Sequence, residues 1–301
     1  MRIEHRRSGR RYFIAAVIPA LALAFSACGS NSLTQTQPSS STSISVQADP
    51  ALTALLPDKI KQAGVIQIGV DPTYKPNEYL NGTEVVGWDV ELFDAVAAKM
   101  GVKTKWNPGL FEDLLTGVQA SKYDIGVSSF TISQERLQKN TMISYANVGE
   151  EWATPKGNPG KVDAKNPCGK TIAYQLGTVQ DDEITALNKN LCKSNPIKLL
   201  GYKGQDEVNN ALMINKADAM LADFPITQSA IQASDGKLEA LGEQYGNAPY
   251  GYVVGLDNTQ LADVVAKALT ELKADGTYDA ILKKYAIEAV AIDTFEVNPK
   301  V

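Results

Sequence analysis

Arg136 is the one arginine after residue 11, in a chain that carries 23 lysines. Surface charge here is supplied by lysine. A lone arginine therefore points to a task that a point charge does badly, such as gripping a carboxylate through two parallel N–H donors. In Phe130-Thr131-Ile132-Ser133-Gln134-Glu135-Arg136, Ser133 reads as an N-cap. That predicts Arg136 in the first turn of a helix, where a cation opposes the helix dipole at about 0.3–1 kcal/mol. Local conflicts of this kind are expected at functional sites, and a helix start with an arginine forms an anion pocket. The plain alternative is an exposed arginine without a task.

Other residues fall where a ligand would meet them. Ser128, Ser129 and Thr131 end an apolar run and offer hydroxyl and N–H groups; ordinary turn chemistry uses the same residue types. Asp71 and Tyr74 follow the run Val65–Val70, and Trp88 opens a helical pattern. The two aromatics can wall a pocket, or Trp88 can simply pack in a core. Asp223 follows another run and can hold an ammonium group, or cap a helix ahead of Pro225. Gly177-Thr178 links a strand to a helix and can present N–H groups.

Alternating elements must position these residues. Strands are predicted at 65–70, 102–106, 124–128, 171–175, 197–200, 217–222 and 250–254. Helical spacing appears at 88–100, 111–120, 179–191, 207–214, 225–233, 261–274 and 278–285, with a helix start near Ser133. Strand–helix alternation predicts α/β lobes with largely parallel sheets, which bind ligands at the carboxyl ends of their strands.

Composition narrows the chemistry. Five arginines precede an apolar run of about 16 residues that ends at Ala27, shorter than the ~20 of a membrane span, so residues 1–27 are expected to be a signal peptide. Phe25-Ser26-Ala27-Cys28 resembles a lipobox, which would make Cys28 a lipidated N-terminus. Residues 28–57, rich in Ser, Thr, Gln and Asn up to residue 49, are expected to be a flexible tether. Removing the signal shifts the formal charge from −5 to about −9, which argues against nucleic acid as a partner. It also removes His5, the only histidine, so the mature chain has no imidazole for a triad or a histidine metal site. Neither a cofactor nor a metal is expected. Cys168 and Cys192 remain, and in an exported protein the pair is most simply a disulfide.

Six segments carry a resemblance. They are Gly69-Val70-Asp71-Pro72-Thr73-Tyr74, Gly87-Trp88-Asp89-Val90-Glu91-Leu92, the run Tyr123 to Arg136, Gly177-Thr178-Val179-Gln180, Ala217 to Asp223, and Asp275-Gly276-Thr277-Tyr278. In this order they resemble the polar amino acid-binding proteins of ABC transporters, the family-3 extracellular solute-binding proteins. The resemblance implies a two-lobed periplasmic-binding-protein-like fold of type II. Lobe 1 is then 58–150 and 249–290, lobe 2 is 151–248, and 291–301 form a C-terminal tail. It further implies that Arg136 holds a ligand's α-carboxylate with help from Ser129 and Thr131, and that Asp223 takes the α-ammonium. Tyr74 and Trp88 would flank the side chain, Asp71 would point at its tip, and Thr178 would contribute from lobe 2. Val179 stands where many members carry a hydroxyl. The expected partners are an amino acid, basic or amide, the permease subunits of an importer, and the outer face of the cell membrane through the lipid alone. The protein is expected to act as a monomer. The rival readings are a dehydratase-type enzyme on the same fold and a sensory lipoprotein.

Overall fold

A computed structural model describes residues 45–301. The expected signal peptide, Cys28 and the start of the tether lie outside the described residues. The chain opens with helices α1 (Pro50–Leu55) and α2 (Asp58–Ala63), then strand β1 (Val65–Val70). A three-stranded antiparallel meander follows, made of β2 (Thr73–Tyr74), β3 (Glu78–Asn81) and β4 (Glu84–Val86). Next come α3 (Trp88–Lys99), β5 (Lys103–Pro108), α4 (Phe111–Gln119), β6 (Ile125–Thr131) and α5 (Gln134–Leu137). The long strand β7 (Asn140–Pro155) leads to β8 (Thr171–Gln175), α6 (Val179–Asn190), β9 (Lys198–Tyr202), α7 (Gln205–Met213), β10 (Ala219–Asp223) and α8 (Phe224–Ala233). A second long strand, β11 (Leu238–Gly255), returns the chain to α9 (Thr259–Ala274) and α10 (Thr277–Lys284).

The main sheet runs β5-β1-β6-β11-β7-β10-β8-β9. β1 is parallel to β5 and β6, while β8 is parallel to β9 and β10. The two long strands are antiparallel to each other and join these halves. Each half packs its own core. Ile66, Ile68, Phe93, Leu261 and Leu269 belong to one; Ile172, Ile184, Ile197 and Leu221 belong to the other. The result is two α/β lobes on a pair of connecting strands. The pairing of those strands shifts register between Leu241 and Tyr245 and again between Tyr245 and Ala248. Gly242 and Gly246, both at positive φ, lie in that stretch, and Gly149 lies opposite. Broken pairing and glycines put the bendable part of the connection there.

Two expectations about local structure change. Helix α1 falls inside the stretch 28–57 expected to be a tether. Asp49 caps it, accepting from the Ala51 N–H at 2.6 Å, and Pro50 sits at its start. Leu52 and Leu56 join the lobe-1 core, so these residues belong to the folded domain. The helix expected after Ser133 is the single turn α5. A one-turn helix has almost no macrodipole, so the predicted dipole conflict and helix-start anion pocket do not apply to Arg136.

Cys168 and Cys192 are joined, sulfur to sulfur, at 2.04 Å, tying the approach to β8 to the chain after α6. Closing a loop of 24 residues can contribute up to ~3 kcal/mol on the chain-entropy account. We expect reduction, or Cys168→Ser, to lower the melting temperature by about 5–10 °C in differential scanning fluorimetry. An unchanged melting curve with reductant would show that the bridge contributes nothing.

Candidate functional site

The carboxyl ends of the strands of both lobes meet between the lobes. β6 and the turn after it bring Ser129, Thr131 and Arg136. The loop after β1 brings Asp71 and Tyr74. From the other lobe, β8 and the start of α6 bring Gln175, Thr178 and Gln180, and the end of β10 brings Asp223. Ser129, Thr131, Arg136, Tyr74, Thr178, Val179, Gln180, Asp223 and Phe111 surround a cavity of about 10 Å³. That is near the threshold for one water. An amino acid needs the lobes to part.

Arg136 is buried. Ser133 caps its turn by accepting from its N–H at 3.3 Å. The guanidinium lies over the rings of Phe111 and Phe130, 5.7 and 5.8 Å from their centroids. It donates to the Thr131 carbonyl at 2.7 Å and across the cleft to the Gly177 carbonyl at 3.1 Å. Two of its five donors are thereby used. Burial pulls its pKa down, and Asp182 and Asp223 act against that. The two rings stack on each other at 5.0 Å, and a guanidinium set against that pair and bonded only to neutral carbonyls is a ready partner for an anion.

Asp223 is buried on the opposite lobe. It accepts from Tyr74 at 2.7 Å, Tyr250 at 2.5 Å and Gln180 at 2.8 Å. Burial raises its pKa, while those three donors and Arg136 hold it down. Gln180 also donates to Glu150 at 3.2 Å. Burial and its neighbour Glu183 raise the pKa of Glu150. Asp71 accepts from Gln175 Nε2 at 2.5 Å, again across the cleft, and its N–H donates to Ser128 Oγ. Burial pushes the Asp71 carboxyl up to about 6, opposed by Gln175 and Thr73. The other amide atom of Gln175, Oε1, is buried without a partner. Asp71 and Gln175 are not in the cavity wall; together they place a carboxylate and an amide oxygen between the lobes.

Two further acids lie beneath the cleft floor. Glu78 accepts from Ser128 Oγ at 3.3 Å and Ser129 Oγ at 3.1 Å. Asp89 accepts from the Tyr145 hydroxyl at 2.6 Å and the Ser129 N–H at 3.3 Å. Both are fully buried; burial raises both pKa values, and the Asp89 charge adds to the rise at Glu78. Burial therefore favours the neutral carboxyl at both positions. Ser129 itself has φ 52, a left-handed conformation uncommon outside glycine, which turns its N–H toward Asp89.

The expected residues separate into groups. Arg136, Asp223, Tyr74, Thr131, Ser129 and Thr178 converge on the cavity. Asp71, expected to reach the ligand, is not among the residues that line the cavity and is bonded across the lobes to Gln175. Ser128 sits one layer behind, holding the Asp71 backbone. Thr178 spends its hydroxyl locally, donating to the Gln175 carbonyl at 2.7 Å and accepting from Asp181 N at 3.2 Å as the cap of α6. Trp88 is not on the cavity wall. It is fully buried in the lobe-1 core, tilted against Tyr145, and donates to Asn77 at 2.6 Å. The first turn of α3 packs inward, and Gly87 is needed there because any Cβ would lie 1.9 Å from the Asn77 carbonyl oxygen. Sequence reasoning missed Gln175, Gln180, Phe111 and Tyr250. Gln180 lay within a quoted motif, whereas Gln175 carried no signal. A larger cavity of about 720 Å³ lies beside Asn147, Phe224, Gln244 and Ile287 and shares no residue with the cleft. It has no charged side chain, so it cannot match a zwitterion.

Two lobes, two hinging strands and a cleft with opposed charges define a binding protein that closes on a small polar ligand. Residues 66–288 match the bacterial extracellular solute-binding proteins, family 3, and the chain belongs to that family. It is 30% identical over 253 residues to an arginine-binding protein of Corynebacterium glutamicum, covering 83% of each chain. It is 29% identical to the lysine/arginine/ornithine-binding periplasmic protein of Escherichia coli, covering 73% of this chain and 86% of that one. Among solved structures, an arginine-binding protein of T. maritima, in mutant form, superimposes with a TM-score of 0.70 at 26% identity, over 76% of this chain and 98% of that one. An ancestral amino acid-binding protein, a precursor of cyclohexadienyl dehydratase, superimposes with a TM-score of 0.68 at 26% identity, over 77% and 99%. The protein is accordingly a solute-binding protein, and the relatives it resembles are named as binding proteins rather than enzymes.

Only as a carboxylate could Asp71 hold a cationic side chain. Protonation as pH falls through about 6 removes that charge. We expect affinity for a basic amino acid to be level above pH 7 and to fall by up to about tenfold per pH unit below 6. Asp71→Asn should flatten this profile in calorimetric titrations. A pH-independent affinity in the parent protein would remove Asp71 from the site.

Proposed function

We propose that this protein captures a basic amino acid, of the arginine type, by closing its two lobes, and presents the closed form to an importer's permease. The observation that carries the proposal is the opposition of Arg136 and Asp223 across the cleft. A zwitterion brings a carboxylate to the first and an ammonium to the second. Either charge left buried alone costs several kcal/mol, so both are satisfied together only with the lobes shut. The ligand's greater affinity for the closed state drives closure.

The side-chain preference rests on charge. Asp71, Asp223 and Arg136 sum to −1, while burial pushes Glu150, up to about 9, and the deeper Glu78 toward their neutral forms. A cationic side chain balances this field. The acceptors at Asp71 and Gln175 Oε1 suit a group with several N–H donors, as a guanidinium has. Relatives named for arginine, lysine and ornithine support the same class. Tyr74 and Phe111 supply the apolar walls. The lobes 58–150 with 249–290, and 151–248, would move as units about the glycine-containing register shifts.

The family is extracellular, which puts the chain outside the cytoplasm. We further propose that Cys28 carries the lipid that tethers it to the outer face of the cell membrane. Labelled palmitate should enter the wild-type protein and not Cys28→Ala, with the variant released to the medium. Label retained by the variant overturns the anchor.

The direct test is a thermal-shift screen of twenty amino acids, followed by calorimetry, since a ligand bound only by the folded state raises stability. L-arginine should give the largest shift. Arg136→Lys should weaken binding by at least ~2 kcal/mol, about thirtyfold, with an unaltered circular dichroism spectrum, because the planar fork is lost. Full affinity in that variant overturns the carboxylate assignment.

A further inference from the structure

The turn that carries Arg136 is too short to hold its own shape, since one helical turn does not repay its nucleation. What holds it lies at the far end of the chain. The first half of β7 pairs with β11 on one side; its other edge is taken by β10 only from Glu150 onward. At Met142–Ser144 that free edge is occupied by the C-terminal segment instead. Ser144 N–H donates to the Glu296 carbonyl at 2.9 Å, and Glu296 N–H donates to Ser144 Oγ at 2.9 Å. Met142 N–H donates to Asn298 Oδ1 at 2.9 Å, and Asn298 N–H donates to the Met142 carbonyl at 2.8 Å. Ile143 bridges Val297 between them. Phe295 packs edge-on against Tyr278 at 5.2 Å. Asn298 has φ 52, a conformation asparagine tolerates, and its side-chain oxygen stands in for a strand carbonyl. The chain then reaches α5, where Gln134 Nε2 donates to the Val301 carbonyl at 2.8 Å. Within the same stretch Asn140 Nδ2 donates to the Arg136 carbonyl at 3.1 Å.

We infer that Phe295–Val301 is a strap that positions the Arg136 turn, fixing the segment 133–144 at both ends so that the guanidinium meets the ligand's acid group. The family match stops at residue 288, so this support comes from a segment outside the shared domain. Asn298 and Gln134 are positioning residues here; neither lines the cleft. The inference rests on the assignment of Arg136 as the carboxylate anchor.

The test uses the full chain with L-arginine, or the amino acid that gives the largest thermal shift. Asn298→Ala should raise Kd by about three- to tenfold, the loss expected for one or two hydrogen bonds. Asn298→Asp, which keeps the acceptor oxygen, should recover most of it. Hydrogen exchange at amides 133–144 should quicken in Asn298→Ala, and in an Arg136→Lys background the substitution should cost no further affinity. Gln134→Ala, at an exposed side chain, reads the same coupling if Asn298→Ala does not fold. A lower melting temperature with unchanged Kd means the segment only stabilises, which overturns the inference. Unchanged Kd beside a weakened Arg136→Lys overturns the strap and spares the anchor. Unchanged Kd in Arg136→Lys itself overturns the anchor, and the positioning role with it.

Discussion

A guanidinium and a carboxylate are buried on facing lobes, and neither can keep its water when the cleft shuts. Burial shifts both titrations toward the neutral form, lowering Arg136 and raising Asp223. Each borrows polar partners from across the gap. Arg136 takes a carbonyl of Gly177, and Asp223 takes the hydroxyl of Tyr74. Neutral partners offset only part of the desolvation of an ion; an opposite charge offsets more. A zwitterion supplies one opposite charge to each. The closed geometry is thus a frame whose favourable completion requires a molecule charged at both ends.

The fold makes that demand mechanical. Asp71, Tyr74 and Arg136 ride on one lobe, while Gln175, Gln180 and Asp223 ride on the other. The lobes communicate through two strands whose pairing breaks near Gly242 and Gly246. A bend at that break would involve a few residues and spare the sheets. Contacts that cross the gap include the Lys203–Glu112 ion pair at 3.3 Å and the Gln205 N–H to Thr73 bond at 3.0 Å. Lys203 is well exposed, so its pair adds little strength. Discrimination is left to the buried groups.

Much of the architecture was legible because each lobe repeats strand and helix with clean periods. The strands at 65–70 and 171–175 were bounded correctly by apolar runs ending at polar or glycine-containing turns. The crossings near 150 and 249 were legible from the resemblance, but the full length of the two connecting strands was not. Residues 238–249 include Gly-Glu-Gln-Tyr-Gly-Asn, which reads as loop, and only distant pairing with β7 makes it strand. The meander carrying Tyr74 and Glu78 is likewise built from pieces of two to four residues. In the site, Arg136 was legible by its rarity and Asp223 by its position after an apolar run. Trp88 misled because sequence does not say which way the first turn of α3 faces. Gln175 was invisible because a glutamine at a strand end means nothing until the other lobe brings Asp71 to it.

The buried acids explain why rarity was a usable signal. A cleft with Asp223 in its wall and Asp71 close by would draw a flexible lysine toward either. A lysine at 136 has a four-carbon reach and one compact charge, and it could collapse onto Asp223 instead of waiting for a ligand. The guanidinium rests against the stacked rings of Phe111 and Phe130 with two donors pinned to carbonyls, so its remaining donors keep a fixed direction. Pre-set direction lowers the ordering cost of binding. It also lets one cation serve as an anchor for an incoming carboxylate while standing among carboxylates of its own protein.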